Sequence, residues 1–143
     1  MQQNKRVKKR NSRQLSLLCA KTAIDKKATN IAILDMRKKL GIADYFLIFS
    51  GQSDRQVQGL ADGIRERLKE EGLLPRGVEG YQDARWIVMD YNDIVIHIFY
   101  DYLRDFYDLE GLWSNVPRVP IPRSYLLPPI SRKRIQEKAA LHA

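Results

Sequence analysis

The sequence predicts an α/β domain whose mixed sheet has four or five strands, with helices packed on it. Three observations support this fold class. Residues 45–50 are apolar without alternation, which is typical of a strand covered on both faces. Residues 57–68 repeat apolar side chains at helical spacing. Residues 83–100 are the densest apolar stretch, and a polar break divides them into two β-rich runs. The chain of 143 residues is long enough for one domain with its own core.

The predicted elements follow in the order helix, strand, strand, helix, hairpin, helix. Ser12 caps the first helix, which ends at the basic pair 26–27. The inner stripe of that helix is Leu15, Leu18, Cys19 and Thr22. A strand at 30–37 and the apolar run at 45–50 come next. Cys19, the single cysteine, is predicted to be a small core residue.

The second half of the chain supplies a second helix, the hairpin and a third helix. Ser53 and Gln56 form a capping box at the start of the second helix, and Gly72 ends it. The stripe of this helix is Val57, Leu60, Ala61, Ile64 and Leu68. A short strand at 77–79 leads into the hairpin. After the hairpin, Asp101 caps a third helix. Its predicted core stripe is Tyr102, Phe106, Leu109 and Trp113.

The hairpin has Tyr91 and Asn92 at its predicted tip, because Asn tolerates the positive φ of a two-residue turn. This register places Trp86 opposite His97 and Asp90 opposite Asp93. Since side chains alternate along a strand, the hairpin has two faces. The aliphatic face consists of Ile87, Met89, Ile94, Ile96 and Ile98. The tryptophan face consists of Trp86, Val88, Asp90, Asp93, Val95, His97 and Phe99.

Two interpretations of the tryptophan face are open at this point. An indole, an imidazole and two carboxylates among apolar groups suit a surface that a partner desolvates. Alternatively, a further helix of the same chain covers this face and leaves only the aspartates exposed at the turn. Composition alone favours neither interpretation.

The charged residues are distributed unevenly along the chain. Residues 1–27 carry nine Lys and Arg against one acid, residues 114–143 carry six against one, and residues 28–113 carry ten against fifteen. We therefore predict a basic N-terminal tail at 1–12, an acidic domain at 13–114 and a Pro-rich basic C-terminal extension at 115–143. An acidic domain is better matched to a basic protein partner than to nucleic acid.

The remaining composition favours a cytoplasmic location. No run approaches the ~20 apolar residues of a membrane span, and no apolar stretch near the start resembles a secretory signal. A single cysteine excludes an internal disulfide framework and fits a reducing compartment. We therefore expect a protein of the cytoplasm with no membrane association.

A search for catalytic chemistry gives no constellation. His97 is the only histidine of the predicted domain, and it is favoured as a structural or interface residue over a catalytic base. The turn at 50–55 offers backbone N–H groups to an anion, but it lacks the lysine of a phosphate loop, and Ser53 already serves as a cap. Asp90 and Asp93 have no third carboxylate at metal-binding spacing. We predict no catalytic, cofactor-binding or metal-binding residue.

Five blocks of sequence occur in an order that is characteristic of one family. They are A-D-Y-F-L-I-F-S-G at 43–51, S-D-R-Q-V at 53–57, G-V-E-G at 77–80, W-I-V-M-D-Y-N-D-I-V-I-H-I-F at 86–99 and R-D-F-Y-D-L-E-G-L-W at 104–113. Through these blocks, about residues 13–114 resemble the ribosomal silencing factor family, also called Iojap-like. Two positions depart from its pattern. Asn92 stands where the family usually has Gly, and Gly111 where it often has Arg or Lys.

The resemblance implies a fold like that of nucleotidyltransferases, without their paired catalytic aspartates. It also implies binding to the large ribosomal subunit through its ribosomal protein fourteen, which blocks association with the small subunit and represses translation during starvation. The implied interface centres on Trp86, with Asp90 and Asp93 near basic groups of that protein. We extend this expectation to the whole tryptophan face.

Further contacts and alternatives accompany that hypothesis. We expect the basic tails to contact ribosomal RNA, since Lys and Arg bind phosphates without sequence specificity. In the free protein, a homodimer is one way to cover the same face, and the sequence does not decide the oligomeric state. One alternative function is assembly of the large subunit, as in organelle relatives of the family. A less favoured alternative is a nucleotidyltransferase-like enzyme that binds nucleotides with residues 50–55 and the two aspartates.

Overall fold

A computed structural model gives the fold of residues 9–39 and 41–127, which are the residues described below. They form four α-helices and five strands, and a short 3-10 helix lies at Arg123–Leu126. The elements are α1 (Ser12–Asp25), β1 (Thr29–Asp35), β2 (Tyr45–Gly51), α2 (Asp54–Glu70), β3 (Gly77–Glu79), β4 (Trp86–Asp90), β5 (Ile94–Tyr100), α3 (Asp101–Tyr107) and α4 (Leu109–Leu112). Within these ranges, none of the helices is long and apolar enough to cross a membrane.

The five strands form one mixed sheet in the order β1-β2-β5-β4-β3. β2 and β5 are parallel, whereas the other neighbouring pairs are antiparallel. The predicted fold class is therefore confirmed. β2 is buried along its whole length, as its apolar run predicted, because β1 and β5 flank it and side chains cover both of its faces.

Helices α1 and α2 pack on one face of the sheet and enclose the first core. The predicted stripe of α2 from Val57 to Leu68 is buried there. Ser53 caps α2 by accepting a hydrogen bond from the Gln56 backbone N–H. The predicted capping box is wrong in its second half, because the Gln56 side chain accepts from the N–H of Gln52 instead. Gly72 ends the helix with φ +84°.

Helix α1 is capped one residue earlier than predicted. The Asn11 side chain accepts from the backbone N–H of Gln14, and the Gln14 side chain accepts from that of Asn11. The prediction that Ser12 is the cap is wrong, since its hydroxyl donates to Asp44 at 2.7 Å. The buried stripe is correspondingly turned and consists of Ser16, Cys19, Ala20 and Ala23.

Cys19 lies in the first core, as predicted. Its side chain is 1% exposed, and burial raises the pKa of the thiol to about 12. A thiol that stays protonated at neutral pH is a poor nucleophile and a poor metal ligand. Cys19 is therefore a small apolar core residue.

The predicted third helix is broken in two. Asp108 adopts a left-handed conformation with φ 48° and ψ 48°, which ends α3 and begins α4. The predicted core stripe is wrong for Tyr102 and Phe106, which are 67% and 79% exposed. Leu109 and Trp113 do pack on the second core, because the break redirects the chain toward the sheet. Asp101 is the first helical residue rather than a side-chain cap.

Part of the predicted Pro-rich extension belongs to the folded domain. The backbone of Val119 donates to Ile33 at 2.9 Å, and Asp35 donates to Pro117 at 2.8 Å, so this segment runs along the outer edge of β1. Val119 is 5% exposed in the first core. Residues 117–119 of the predicted extension therefore pack against the sheet, and the part of the extension beyond residue 127 lies outside the described residues.

A candidate partner-binding surface on the sheet

The β4–β5 hairpin is present, but its register differs from the prediction by two residues. Trp86 lies opposite Phe99 rather than His97, and the backbone N–H of Tyr91 donates to Ile94 at 2.9 Å. The tip is therefore Asn92 and Asp93. Asn92 takes the positive φ of 74°, as expected for the residue that replaces glycine there. A shift of two residues leaves every side chain on its predicted face.

The tip is fixed by polar contacts of Asn92. The Asp90 carboxylate accepts from the backbone N–H of Asn92 at 2.7 Å. The Arg76 guanidinium donates to the Asn92 side-chain oxygen at 2.6 Å. Short side chains that bond to nearby backbone stabilise such turns, and this explains why Asn92 rather than Tyr91 occupies the first tip position.

The aliphatic face packs against α1 and α2 within the first core, where all five of its residues are no more than 1% exposed. The tryptophan face lies on the opposite side of the sheet and belongs to the second core, which joins β1, β2 and β5 to residues around α4. The aliphatic face is therefore buried beneath helices, as its composition predicted, whereas the tryptophan face borders a second core.

The tryptophan face is covered in part by the same chain. Phe99 is fully buried and His97 is 5% exposed. The Tyr107 ring of α3 lies 6.0 Å from that of Phe99, and the Phe46 ring of β2 lies 4.9 Å from that of His97. This burial argues against direct contact of Phe99 and His97 with a partner. They lie beneath the surface and support it.

The other five residues of the tryptophan face reach solvent. Trp86, Val88, Asp90 and Val95 are half-buried, and Asp93 at the tip is exposed. Neither interpretation of the face is therefore complete: α3 and α4 cover the part around Phe99, while the part nearer the hairpin tip remains accessible.

Trp86 is held in one orientation by three neighbours. Its indole N–H donates to Nδ1 of His97 at 3.1 Å. Its ring stacks on Phe99 with 5.0 Å between centroids and an angle of 24°, and Tyr107 packs on it at 4.9 Å. An indole fixed by a hydrogen bond and two rings loses little conformational entropy when a partner covers it.

His97 is a neutral imidazole in this setting. Burial lowers its pKa from 6.5 to about 4. Because Nδ1 accepts from Trp86, the ring proton lies on Nε2, which has no hydrogen-bond partner among the described residues. The imidazole therefore orients the indole through Nδ1.

Gly80 holds the loop before β4 tightly against the start of that strand. Its φ is +80°, and a Cβ at this position would lie 2.2 Å from the carbonyl oxygen of Trp86. No other residue type combines this conformation with so close an approach. The backbone that carries Trp86 is thus fixed on the loop side as well as within the sheet.

The surface contains aromatic residues that the sequence did not assign to it. Tyr107 is 43% exposed and Phe106 is 79% exposed, and their rings pack edge to face at 5.3 Å. Together with Trp86 they form a continuous row of rings from β4 onto α3. The sequence carries a hint of this arrangement, because Asp108 favours a helix end, and a helix that ends there cannot bury Phe106 and Trp113 on one stripe.

The enzyme alternative receives no positive support from the site. In the turn at 50–55, the hydroxyl of Ser50 accepts from Arg104, and the backbone N–H groups of Gln52 and Arg55 donate to nearby side chains. Donors already in use are poorly placed to bind a phosphate. Within the part of the chain that the structure describes, no three His, Cys, Asp or Glu side chains are grouped as metal ligands.

The fold and this surface define an α/β domain with a preorganised aromatic face, and comparison with known proteins identifies its family. Residues 9–142 match the family model described as ribosomal silencing factor during starvation. The chain is similar to the ribosomal silencing factor RsfS of Bacillus subtilis, with 39% identity over 75% of this chain and 91% of the relative. It is also similar to an Iojap-related mitochondrial protein of Arabidopsis thaliana, with 33% identity over 66% of this chain and 53% of the relative.

A solved structure supports the same assignment. The crystal structure of a protein from Chromobacterium violaceum superposes with a TM-score of 0.71 at 30% sequence identity, covering 79% of this chain and 93% of the other. The chain belongs to the ribosomal silencing factor family, which confirms the resemblance found in the five sequence blocks.

Proposed function

We propose that this protein silences ribosomes by binding the large subunit through ribosomal protein fourteen and sterically blocking association with the small subunit. Membership of a family named for ribosomal silencing supports the role. The observation that carries the choice of surface is the half-buried indole of Trp86, fixed by His97 and packed against Phe99 and Tyr107. Rigid, partly desolvated aromatic residues are the commonest energetic centres of protein interfaces.

The proposed surface consists of Trp86, Val88, Asp90, Asp93 and Val95, with Tyr107 added from α3. Apolar groups lie beside the indole, and the two carboxylates lie toward the hairpin tip. An apolar centre with a charged rim is the usual anatomy of an interface between proteins. Phe99 and His97 contribute from below, because they fix the orientation of Trp86.

The charge of the domain suits a basic partner. Residues 28–113 carry ten basic and fifteen acidic side chains, and Asp90 and Asp93 add negative charge beside the aromatic centre. Complementary charge accelerates the encounter of two proteins and excludes partners of the same sign. The proposed contact of the basic tails with ribosomal RNA rests largely on residues outside the described ranges.

No chemical step is needed for this function. A folded domain bound at the face where two subunits meet prevents their association by occupying the space. The free protein would protect the same aromatic surface by pairing with a second copy, so the proposed homodimer and the proposed complex compete for Trp86.

The test is a sedimentation experiment with purified subunits. We expect the protein to migrate with the large subunit and to lower the fraction of joined particles in proportion to its concentration. Protein that binds the large subunit but leaves joining unchanged would contradict steric blocking and favour the assembly role. A pull-down with isolated ribosomal protein fourteen tests the named partner directly, and failure to bind it would exclude that contact.

Neutralising the hairpin carboxylates is expected to slow association. In the double variant Asp90→Asn with Asp93→Asn, the association rate constant with the large subunit should fall roughly threefold to tenfold at low ionic strength. The difference from wild type should shrink as salt is added. Asparagine retains an oxygen that can accept from the Asn92 N–H, so the turn is preserved.

The matched control carries the same change of charge on α2, on the other side of the sheet. Glu66→Gln with Glu70→Gln should leave the association rate close to that of wild type. Stopped-flow measurements at several salt concentrations give both rates. Equal slowing in the two variants would show that net charge, rather than the hairpin, steers binding.

A further inference from the structure

Arg104 is a charged side chain inside the domain. It lies on the sheet-facing side of α3 and is only 6% exposed. One terminal nitrogen donates to the Ser50 hydroxyl at 2.8 Å and to the backbone carbonyl of Asn30. Nε and the other terminal nitrogen donate to the two carboxylate oxygens of Glu110 at 2.9 and 3.1 Å. Its guanidinium therefore joins α3 to β1, β2 and α4 at one point.

The fork between Arg104 and Glu110 spans the break at Asp108. Arg104 belongs to α3 and Glu110 to α4, and the two residues are six positions apart. The hydrogen bonds from Arg104, with a smaller contribution from Arg118, hold the pKa of Glu110 below its usual value, so the carboxylate is charged. A planar guanidinium paired with both oxygens of a carboxylate fixes direction as well as distance.

A helix as short as α3 depends on such anchors for its orientation. Seven residues in water do not form a stable helix by themselves, so tertiary contacts must place it. Tyr102 and Phe106 are largely exposed and contribute little to that placement. The inward contacts that remain include the polar anchor at Arg104 and, one turn further on, the ring of Tyr107 against Trp86.

From this geometry we infer that Arg104 is a positioning residue for the partner-binding surface. By fixing the bend between α3 and α4, its fork with Glu110 holds Tyr107 against the Trp86 indole. Arg104 itself is buried and does not contact the partner. The inference rests on the proposed function, because the surface that Arg104 is inferred to position has only a proposed role.

A second contact at the bend supports this role. The Asp108 carboxylate accepts from the backbone N–H of Gly111 at 3.1 Å, and a Cβ at Gly111 would lie 2.2 Å from that carboxylate. The absence of a side chain at 111 therefore lets Asp108 cap α4 directly. The bend is thus stabilised by two contacts, the cap of Asp108 on α4 and the buried pair of Arg104 with Glu110.

The experiment is a double-mutant cycle between Arg104 and Tyr107, read out as affinity for the large subunit. Arg104→Lys keeps the charge but cannot form the fork. It should weaken binding by about tenfold, and Tyr107→Ala should weaken it by at least as much. The double variant should bind only slightly more weakly than Tyr107→Ala alone, because Arg104 acts through Tyr107.

The matched control is Arg67→Lys. Arg67 pairs with Glu70 and Glu71 at 3.2 and 3.0 Å on the opposite side of the sheet. This variant loses an arginine ion pair of similar length but should bind the large subunit as the wild type does. A comparable loss of affinity in the control would overturn the inference, because it would trace the effect to general stability.

Three further outcomes would also overturn it. In the first, the fold-loss of affinity in the double variant equals the product of the fold-losses in the two single variants, which would show that Arg104 and Tyr107 act independently. The second is wild-type affinity for Arg104→Lys while Tyr107→Ala binds weakly, which would reject the inference and leave the proposed function standing. If neither Trp86→Ala nor Tyr107→Ala weakens binding, the proposed surface itself is wrong, and the inference fails with it.

A spectroscopic measurement covers the case in which Arg104→Lys does not fold. In a Trp113→Phe background, Trp86 is the single fluorophore of its type. Glu110→Gln retains the volume of the side chain and weakens the fork. It should move the emission of Trp86 to longer wavelength as Tyr107 separates from the indole, and it should lower affinity in parallel. Unchanged emission together with unchanged affinity would overturn the inference.

Discussion

Replacing Trp86 with alanine is expected to weaken binding to the large ribosomal subunit by about thirtyfold or more. This corresponds to about 2 kcal/mol, the lower bound for residues that dominate an interface. The expectation rests on the rigid placement of the indole among His97, Phe99 and Tyr107, which leaves little entropy to be lost on binding. Co-sedimentation with large subunits over a range of protein concentrations gives the affinity.

The same substitution also affects the fold, so stability must be measured beside binding. Trp86 covers Phe99, which is fully buried, and removing the indole exposes that ring and leaves Nδ1 of His97 without its donor. Binding is therefore compared at a temperature where circular dichroism shows both proteins to be folded. Wild-type affinity for folded Trp86→Ala would exclude this surface from the interface.

Two other variants separate the contributions of the indole. Trp86→Phe keeps the stacking on Phe99 but removes the hydrogen bond to His97, so its loss of affinity should be smaller than that of alanine. Tyr81→Ala is the control, because Tyr81 is a half-buried aromatic residue that packs on the first core and bonds to Asp62 at 2.9 Å. Its removal should destabilise the domain without a specific loss of ribosome binding.

Local periodicity is sufficient to predict those elements whose buried side chains repeat with a single period along the sequence. The apolar stripe of α2 and the continuous apolar run of β2 each predict which side chains are buried, because each pattern holds over the whole element. The two faces of the hairpin were predicted for the same reason. They survive the wrong register, because a shift by two residues does not exchange the faces.

The features that local periodicity missed depend on contacts between distant residues. The break at Asp108 is stabilised by the hydrogen bonds that Arg104 donates to Ser50 and Asn30, which lie more than fifty positions away in the chain. The spacing within residues 101–113 does not indicate those partners, so it predicts Phe106 as a core residue. The burial of His97 likewise depends on Phe46 of the neighbouring parallel strand. The sequence of β5 shows that a histidine is present, but it does not show that this histidine is buried.

Lowering the pH from 7.5 to 5 is expected to destabilise the protein by about 2 kcal/mol through His97 alone. Burial lowers the pKa of His97 to about 4, whereas the unfolded chain has the ordinary value of 6.5. Below pH 6.5, His97 binds a proton in the unfolded state but not in the folded state. Stability therefore falls as the pH drops through this range. At pH 4 this contribution reaches about 3 kcal/mol.

The measurement is urea unfolding of wild type and His97→Asn at pH 7.5 and pH 5. Asparagine does not titrate, and its side-chain oxygen can accept from the Trp86 indole, so the variant should lose less stability on acidification by about 2 kcal/mol. The range stops at pH 5 because Asp35, Glu71 and Glu110, whose pKa values are lowered, lose their charge only below it. An equal pH dependence in the two proteins would show that His97 titrates normally and is open to water. That result would contradict the burial of the His97 ring beneath Trp86 and Phe46.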